Sequence, residues 1–342
     1  IFRKLNMARK VYTPNPVLDV ILPIGFSSLA LYVCYYLYRE GELFWTLVLS
    51  VVAVAIVVPI VEFLLRWSGQ KVSSRFLNDK KHGDPLSKVY SLKKFVDQGW
   101  QFVYHSVFSV WEYLLLKKYN WFQNDPDWYP LTGENKVPHD IRVLFTVQIA
   151  LWLYQAYRHV FVNQRKKDYY PLFLHHIVTL SLCFYAQVSY YQMGLLILFL
   201  HDHSDIFIDV LKMLNLCQIE GASDFFILET VYASTIIVWL VQRLYNLPTL
   251  FLRAFLGMIR YYKELTPQQA ICKEWLFSLE VLCCCVLYCL HIYWFALLLR
   301  IGFRAFVKDP GTLHEVSKKG YEGDSDEESS ETSPIVEKRK QE

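Results

Sequence analysis

Long apolar runs, broken by basic and polar stretches, dominate the chain. The clearest runs from Leu43 to Leu65, where Glu62 is the only charge in 23 positions, long enough to cross a hydrocarbon layer roughly 30 Å thick. The same pattern predicts eight helical spans, at 17–38, 43–67, 95–116, 141–162, 170–190, 192–214, 224–246 and 275–303. The stretch from Pro248 to Glu274 reads as a loop between the last two, because Pro248 closes one apolar run and the next begins only near Trp275. The expected class is therefore an all-α polytopic membrane protein of about seven or eight transmembrane helices. The first span, which could instead lie on the surface, decides between them.

Composition supports this class and adds an orientation. Of 342 residues, 54% are apolar and 17% aromatic, and the net charge is +3. The segment from Lys308 to Glu342 holds ten acidic and six basic residues, so the remainder carries +7. Basic groups cluster at Arg3, Lys4, Arg9 and Lys10, at eight positions from Arg66 to Lys94, and at Arg165, Lys166 and Lys167. With eight spans all three clusters fall on one side, the cytosolic side by the positive-inside rule, and the acidic tail joins them. The Pro248–Glu274 segment disagrees, carrying Arg253, Arg260, Lys263 and Lys273 on the opposite side. A nucleic-acid partner has no support. The eight cysteines contain no CxxC pair and lie in or beside apolar segments, which argues against structural zinc and a disulfide framework. No cleavable leader is expected, since Arg3–Lys10 precedes an apolar stretch too long for one. The tail run EGDSDEESSE is expected to be disordered, with Ser325 as a candidate phosphorylation site.

The chemistry lies in two adjacent spans. The fifth carries His175 and His176; the sixth carries His201, Asp202, His203, Asp205 and Asp209 within nine residues. A charge at a span centre costs on the order of 2.5–3.5 kcal/mol on insertion scales, so these groups must face protein or a wet cavity. Asp202, Asp205 and Asp209 fall at i, i+3 and i+7 and share one helical stripe. Neighbouring residues are about 100° apart on a helix, so His175 and His176 point differently: one does chemistry and the other positions it. Counted from the turn near Tyr190, the two histidines and Asp205 sit at one depth, roughly 10 Å from the basic face. A carboxylate hydrogen-bonded to an imidazole makes it a better base or nucleophile, and the expectation is that Asp205 orients one of these histidines. No GxSxG nucleophile elbow is present, so acyl transfer to an external nucleophile fits best. A mononuclear metal site is the chemical alternative. A structural cross-link between two helices is the plain one.

At these residues the sequence resembles the ceramide synthases, sphingoid-base N-acyltransferases of the TLC-domain family. The matching stretch runs from Arg165-Lys166-Lys167-Asp168 through His175-His176-Ile177-Val178-Thr179 to His201-Asp202-His203-Ser204-Asp205 and on to Leu214, with further likeness at Asn120-Trp121-Phe122, Arg243, and Leu290-His291-Ile292-Tyr293-Trp294. The resemblance implies a TLC-domain helical bundle of six core spans plus one or two N-terminal spans. It implies three segments: N-terminal spans with a basic loop at 1–94, a catalytic membrane domain at 95–306 and an acidic tail at 307–342. It implies transfer of a fatty acyl group from acyl-CoA to the amine of sphinganine or sphingosine, with catalytic positions at His175, His176, Asp202 and Asp205. Arg165, Lys166, Lys167, His201, Asp209, Arg243 and His291 become candidate substrate-binding groups, acyl-CoA a co-substrate, and no metal or other cofactor is implied. Expected partners are the acyl-CoA, the sphingoid base and membrane lipid, with a homo- or heterodimer left open. The family also places an acyl-length determinant in the short loop before the last span, here 264–274. The family's home is the endoplasmic-reticulum membrane, and the ending Lys338-Arg339-Lys340-Gln341-Glu342 fits a KxKxx retrieval signal on a cytosolic tail. The competing reading within the fold is a non-enzymatic lipid-binding or chaperone protein.

Overall fold

The computed structural model describes residues 15–39, 41–76, 85–121, 137–162, 168–188, 191–217, 219, 225–264 and 267–305, with side chains described at all of these except 69–76, 85–91, 188 and 257–277. The described residues form helices: α1 (Leu18–Arg39), α2 (Glu42–Phe76), α3 (Pro85–Lys118), α4 (His139–Tyr157), α5 (Tyr169–Val188), α6 (Tyr191–Cys217), α7 (Ile227–Trp239), α8 (Leu247–Glu264) and α9 (Pro267–Phe303). A π-helical stretch, Arg158–Val162, extends α4, and another, Leu240–Asn246, joins α7 to α8. Four segments are long and apolar enough to cross a membrane on composition: Leu18–Arg39, Glu42–Ser68, Ile227–Leu256 and Ser278–Phe303. α3, α5 and α6 carry the ionisable groups of the site among their apolar residues.

Local signals account for the ends. The Asn15 side-chain carbonyl accepts hydrogen bonds from the Val17 and Leu18 amides and so caps α1. Gly41 turns the chain into α2 at φ +60, where a side chain would be strained. At the end of α3 Asn120 takes the left-handed conformation that asparagine tolerates, φ 56, and the Trp121 amide donates back to the Leu116 carbonyl at 3.1 Å.

The main apolar core joins α1 to α6 through residues with no exposure, among them Leu37, Leu116, Leu144, Phe145, Ile149, Leu180 and Leu195. α3 packs along α6, α5 sits between α4 and α9, and α7 closes the far side of α6. The apolar residues left exposed, from Val17 through Phe63 and Leu64 to Leu282 and Phe303, cover the outside of the bundle, as a lipid-facing surface requires.

The structure corrects the sequence reading of the helices after α7. The segment expected to be a loop from Pro248 is helical: α8 continues α7 as far as Glu264, and α9 starts at Pro267, so most of 264–274 belongs to helix as well. A proline in an α-helix clashes with the carbonyl four residues back, but the π-turn immediately before it has already widened the backbone, and the Leu247 amide donates to the Gln242 carbonyl. Leu247, Leu250 and Ala254 then pack α8 against Met193, Ile197 and Leu200 of α6.

Candidate active site

The aspartate stripe of α6 is met by a polar stripe on α3. Gln98, His105 and Glu112 are seven residues apart and face α6 in antiparallel order. Gln98 donates to Asp209 Oδ1, and His105 Nδ1 lies 2.6 Å from Asp209 Oδ2. His105 Nε2 lies 3.8 Å from Asp205 Oδ2. One turn further along, Gln148 Nε2 of α4 donates to both Glu112 Oε1, at 3.1 Å, and Asp202 Oδ2, at 3.0 Å. Through that amide the Glu112 and Asp202 carboxyl groups are held on one donor. Each aspartate thus has its own donor, and none faces lipid.

Asp205 is held from the other side. Arg243 Nη2 lies 2.6 Å from its Oδ1, while Arg243 Nε donates to Ser204 Oγ at 2.7 Å and Nη2 to the His201 carbonyl at 3.1 Å. The guanidinium also lies 4.3 Å from the centre of the Trp239 ring. Arg243 stands in the π-helical stretch after α7 and is almost fully buried.

Next to this layer are three histidines from three helices, His175 of α5, His201 of α6 and His291 of α9. His201 Nδ1 lies 2.6 Å from the Ile197 carbonyl, which can only accept, so that nitrogen carries the proton and Nε2 accepts. Its Nε2 lies 3.1 Å from His291 Nε2, which must then be the donor, leaving His291 Nδ1 buried without a partner. His175 meets Trp152 and Trp294 edge-on, at 5.6 and 5.5 Å between ring centres. Its polar neighbour is Thr179 Oγ1, 3.5 Å from either ring nitrogen, at the limit of a hydrogen bond. Both nitrogens remain available for chemistry.

A narrow cleft is lined by His175, His201, Asp202 and Asp205, and further along by Gly194 and Glu280. His176 is absent from its wall. It packs behind His175, 5.8 Å from Trp152 and 5.2 Å from His159 between ring centres, and His159 is fixed in turn by the Tyr169 carbonyl.

The sequence-derived residues therefore separate. His175, His201, Asp202 and Asp205 share one cleft. His176, Asp209, Arg243 and His291 stand behind it, where they support cleft residues. Arg165, Lys166 and Lys167 lie outside the described residues. The contact expected between Asp205 and a histidine of α5 is not formed; Asp205 is taken up by Arg243 and His105, because a guanidinium satisfies a buried carboxylate more fully than a neutral imidazole. The residues that sequence reasoning missed are His105, Glu112, Gln148 and Glu280. The seven-residue spacing of Gln98, His105 and Glu112 within an apolar helix was the signal that could have found the first two. Among the described residues no three His, Cys, Asp or Glu side chains are grouped to hold a metal ion.

Residues 94–300 match the TLC domain, and the chain belongs to the TLC-domain family. Among curated relatives it is 25% identical to "Ceramide synthase 1 LOH3" of Arabidopsis thaliana over 287 residues, 80% of this chain and 90% of that protein. It is 28% identical to "Sphingosine N-acyltransferase lac1" of Schizosaccharomyces pombe over 254 residues, 70% of this chain and 62% of that protein. Over 138 residues, 38% of this chain and 39% of that protein, it is 30% identical to human "Ceramide synthase 1".

Proposed function

We propose that this protein is a ceramide synthase, an acyltransferase that moves a fatty acyl group from acyl-CoA to the amine of a sphingoid base. The observation that carries this reading is the cleft itself: an uncommitted imidazole, His175, opens on the same wall as two carboxyl groups, Asp202 and Asp205. The relatives' names agree with it.

A His175 nitrogen attacks the thioester carbonyl, the C–S bond breaks, and coenzyme A leaves as a thiolate that takes up a proton. The acyl group is then held as an acyl-imidazole. The sphingoid ammonium is drawn to the cleft by Asp205, gives a proton to Asp202 and attacks the acyl carbon as the free amine. The C–N amide bond forms as the bond from the acyl carbon to the imidazole nitrogen breaks; one of the two remaining amine protons passes to the departing imidazole, and the other stays on the amide. Arg243 and His105 keep Asp205 in place, and Gln148, which Glu112 shares, does the same for Asp202. His176 is a positioning residue that fixes Trp152, against which His175 stands. His201 is braced by His291 and turns its edge to the cleft. Trp152 and Trp294 keep water from the acyl-imidazole, which water would otherwise hydrolyse.

His175 lies six residues into α5, about 9 Å from its start. In sequence Arg165, Lys166 and Lys167 lie just before that start, separated from it by Asp168, and they suit the phosphates of coenzyme A. Their charge, with that of the other basic loops, favours the cytosolic side for this end of the bundle and for the acidic tail. The resemblance to ceramide synthases favours the endoplasmic-reticulum membrane for such an enzyme.

The test is a purified, detergent-solubilised enzyme given palmitoyl-CoA and sphinganine, with products read by mass spectrometry. Dihydroceramide from the wild type, lost at least a hundredfold in His175→Ala, is expected. A wild type that binds sphinganine without making amide would instead place the chain among lipid-binding members of the fold.

A further inference from the structure

One carboxyl group on the cleft wall takes no part in the acyl transfer. Glu280 of α9 is 4% exposed and lines the cleft, yet no hydrogen bond or ion pair reaches its carboxyl from the described residues. Its neighbours are Tyr185, Cys283 and Cys284. Burying a carboxyl group without a partner is costly. The cleft that Glu280 lines is where a ligand group can reach its carboxyl.

The position of Glu280 along the cleft is set by three helices. On α9 it precedes His291, the partner of His201, by eleven residues, which is about 16 Å of helix. On α5, Ala186 follows His175 by the same eleven residues and so lies at the Glu280 end. There the cleft is pinched, because α5 and α6 touch at Gly194: a Cβ on that glycine would stand 2.2 Å from the Ala186 Cβ and 3.2 Å from Phe145. Between the two ends the wall is apolar, with Leu182, Ile197 and Leu287. The cleft is therefore a greasy passage with the reactive imidazole at one end and a single hydrogen-bond acceptor about 16 Å away.

Resting on the acyltransferase reading, we propose that Glu280 reads the far end of the acyl chain, favouring acyl groups that carry a hydroxyl there and disfavouring those that place a methyl group against it. With the acyl carbon on His175, an extended chain runs down the passage. A terminal hydroxyl donates to the Glu280 carboxyl, while a methyl end of the same length strips it of water and offers nothing in return.

The experiment uses the whole purified protein with limiting sphinganine. Equimolar pairs of a saturated acyl-CoA and its ω-hydroxy counterpart, from lauroyl to stearoyl, compete, and the ratio of the two amide products is read by mass spectrometry. For the chain whose end reaches Glu280, the wild type is expected to favour the hydroxylated acyl group at least tenfold over shorter pairs. In Glu280→Leu that preference is lost and the saturated chain is used several-fold better. Glu280→Gln, matched in size and able to accept a hydrogen bond, keeps part of it. A wild type that uses both members of every pair alike overturns the inference even if both variants fail to fold, and so does a ratio unmoved by either substitution. Absence of any amide product from the wild type overturns the acyltransferase reading and this inference with it; product with an unmoved ratio overturns this inference alone.

Discussion

At the scale of single residues the protein keeps many ionisable groups inside a membrane bundle by giving nearly all of them a donor or an acceptor. Gln148 is the sharpest case, since one amide nitrogen serves two carboxyl groups from two other helices. Replacing it by leucine leaves both without that donor, and a loss of about 2–3 kcal/mol is expected for so buried a pair. Thermal unfolding in detergent checks this: Gln148→Leu melts well below the wild type, and an unchanged melt would mean the carboxyls find another partner. The identity of the reactive layer was legible from sequence because charges are so costly in a span that seven ionisable groups in α5 and α6 had to share an interior. Which groups pair was hidden. Helical spacing places Asp205 on the right face at the right depth, but whether imidazole or guanidinium reaches it depends on the inward turn of Arg243, which the π-helical stretch after Trp239 sets.

At the scale of the helices, two close contacts hold the site's walls. Gly194 lets α5 and α6 touch beside Ala186 and Phe145. Gly194→Val would drive its branched side chain into both, forcing the helices apart at a cost of about 2 kcal/mol or more; the expected result is a lower melting temperature, together with lost activity, because the cleft between His175 and His201 widens. Arg158, at the start of the π-turn after α4, reaches Glu62 of α2 at 2.7 Å and Asp97 of α3 at 3.0 Å. Arg158→Met leaves two partly exposed acids side by side. Water relieves part of that, so a loss of about 1–2 kcal/mol is expected, and a double change with Glu62→Gln should recover some of it in a thermal melt. Glu62 stood out in sequence as a lone charge in an apolar run; its partner, about a hundred residues away, could not be read there. Pro248 misled for a related reason. Proline ends an α-helix, and nothing in residues 240–246 announces the wider turn that carries the chain past it.

At the scale of the whole molecule, α3 and α4 are tied at one end of the bundle by Asp140, which accepts from Lys118 Nζ at 2.6 Å, Tyr119 Oη at 2.8 Å and the Ile141 amide at 3.0 Å. Partial burial pushes the Asp140 carboxyl up, but these hydrogen bonds outweigh it and hold the group below the usual carboxylate range. A depressed folded-state value contributes stability above the unfolded-state value, and that stability is lost as pH falls through the folded-state value. The wild type should therefore outlast Asp140→Asn in thermal melts near neutrality, with the difference closing as the pH drops below the carboxylate range; a difference constant across that window would show that the aspartate acts by shape alone. The fold class followed from sequence because eight apolar runs leave an α-bundle as the available architecture, whereas the cleft could not be foreseen, being made where α5, α6 and α9 fail to fill the space between them. The account as a whole rests on His175 accepting the acyl group. Incubating the enzyme with palmitoyl-CoA alone, digesting it and weighing the peptides tests this directly: the account predicts one added palmitoyl group on His175, removed when sphinganine is supplied and absent in His175→Ala. Full ceramide synthesis with no acyl group on any histidine, or with the acyl group on His176, would contradict it.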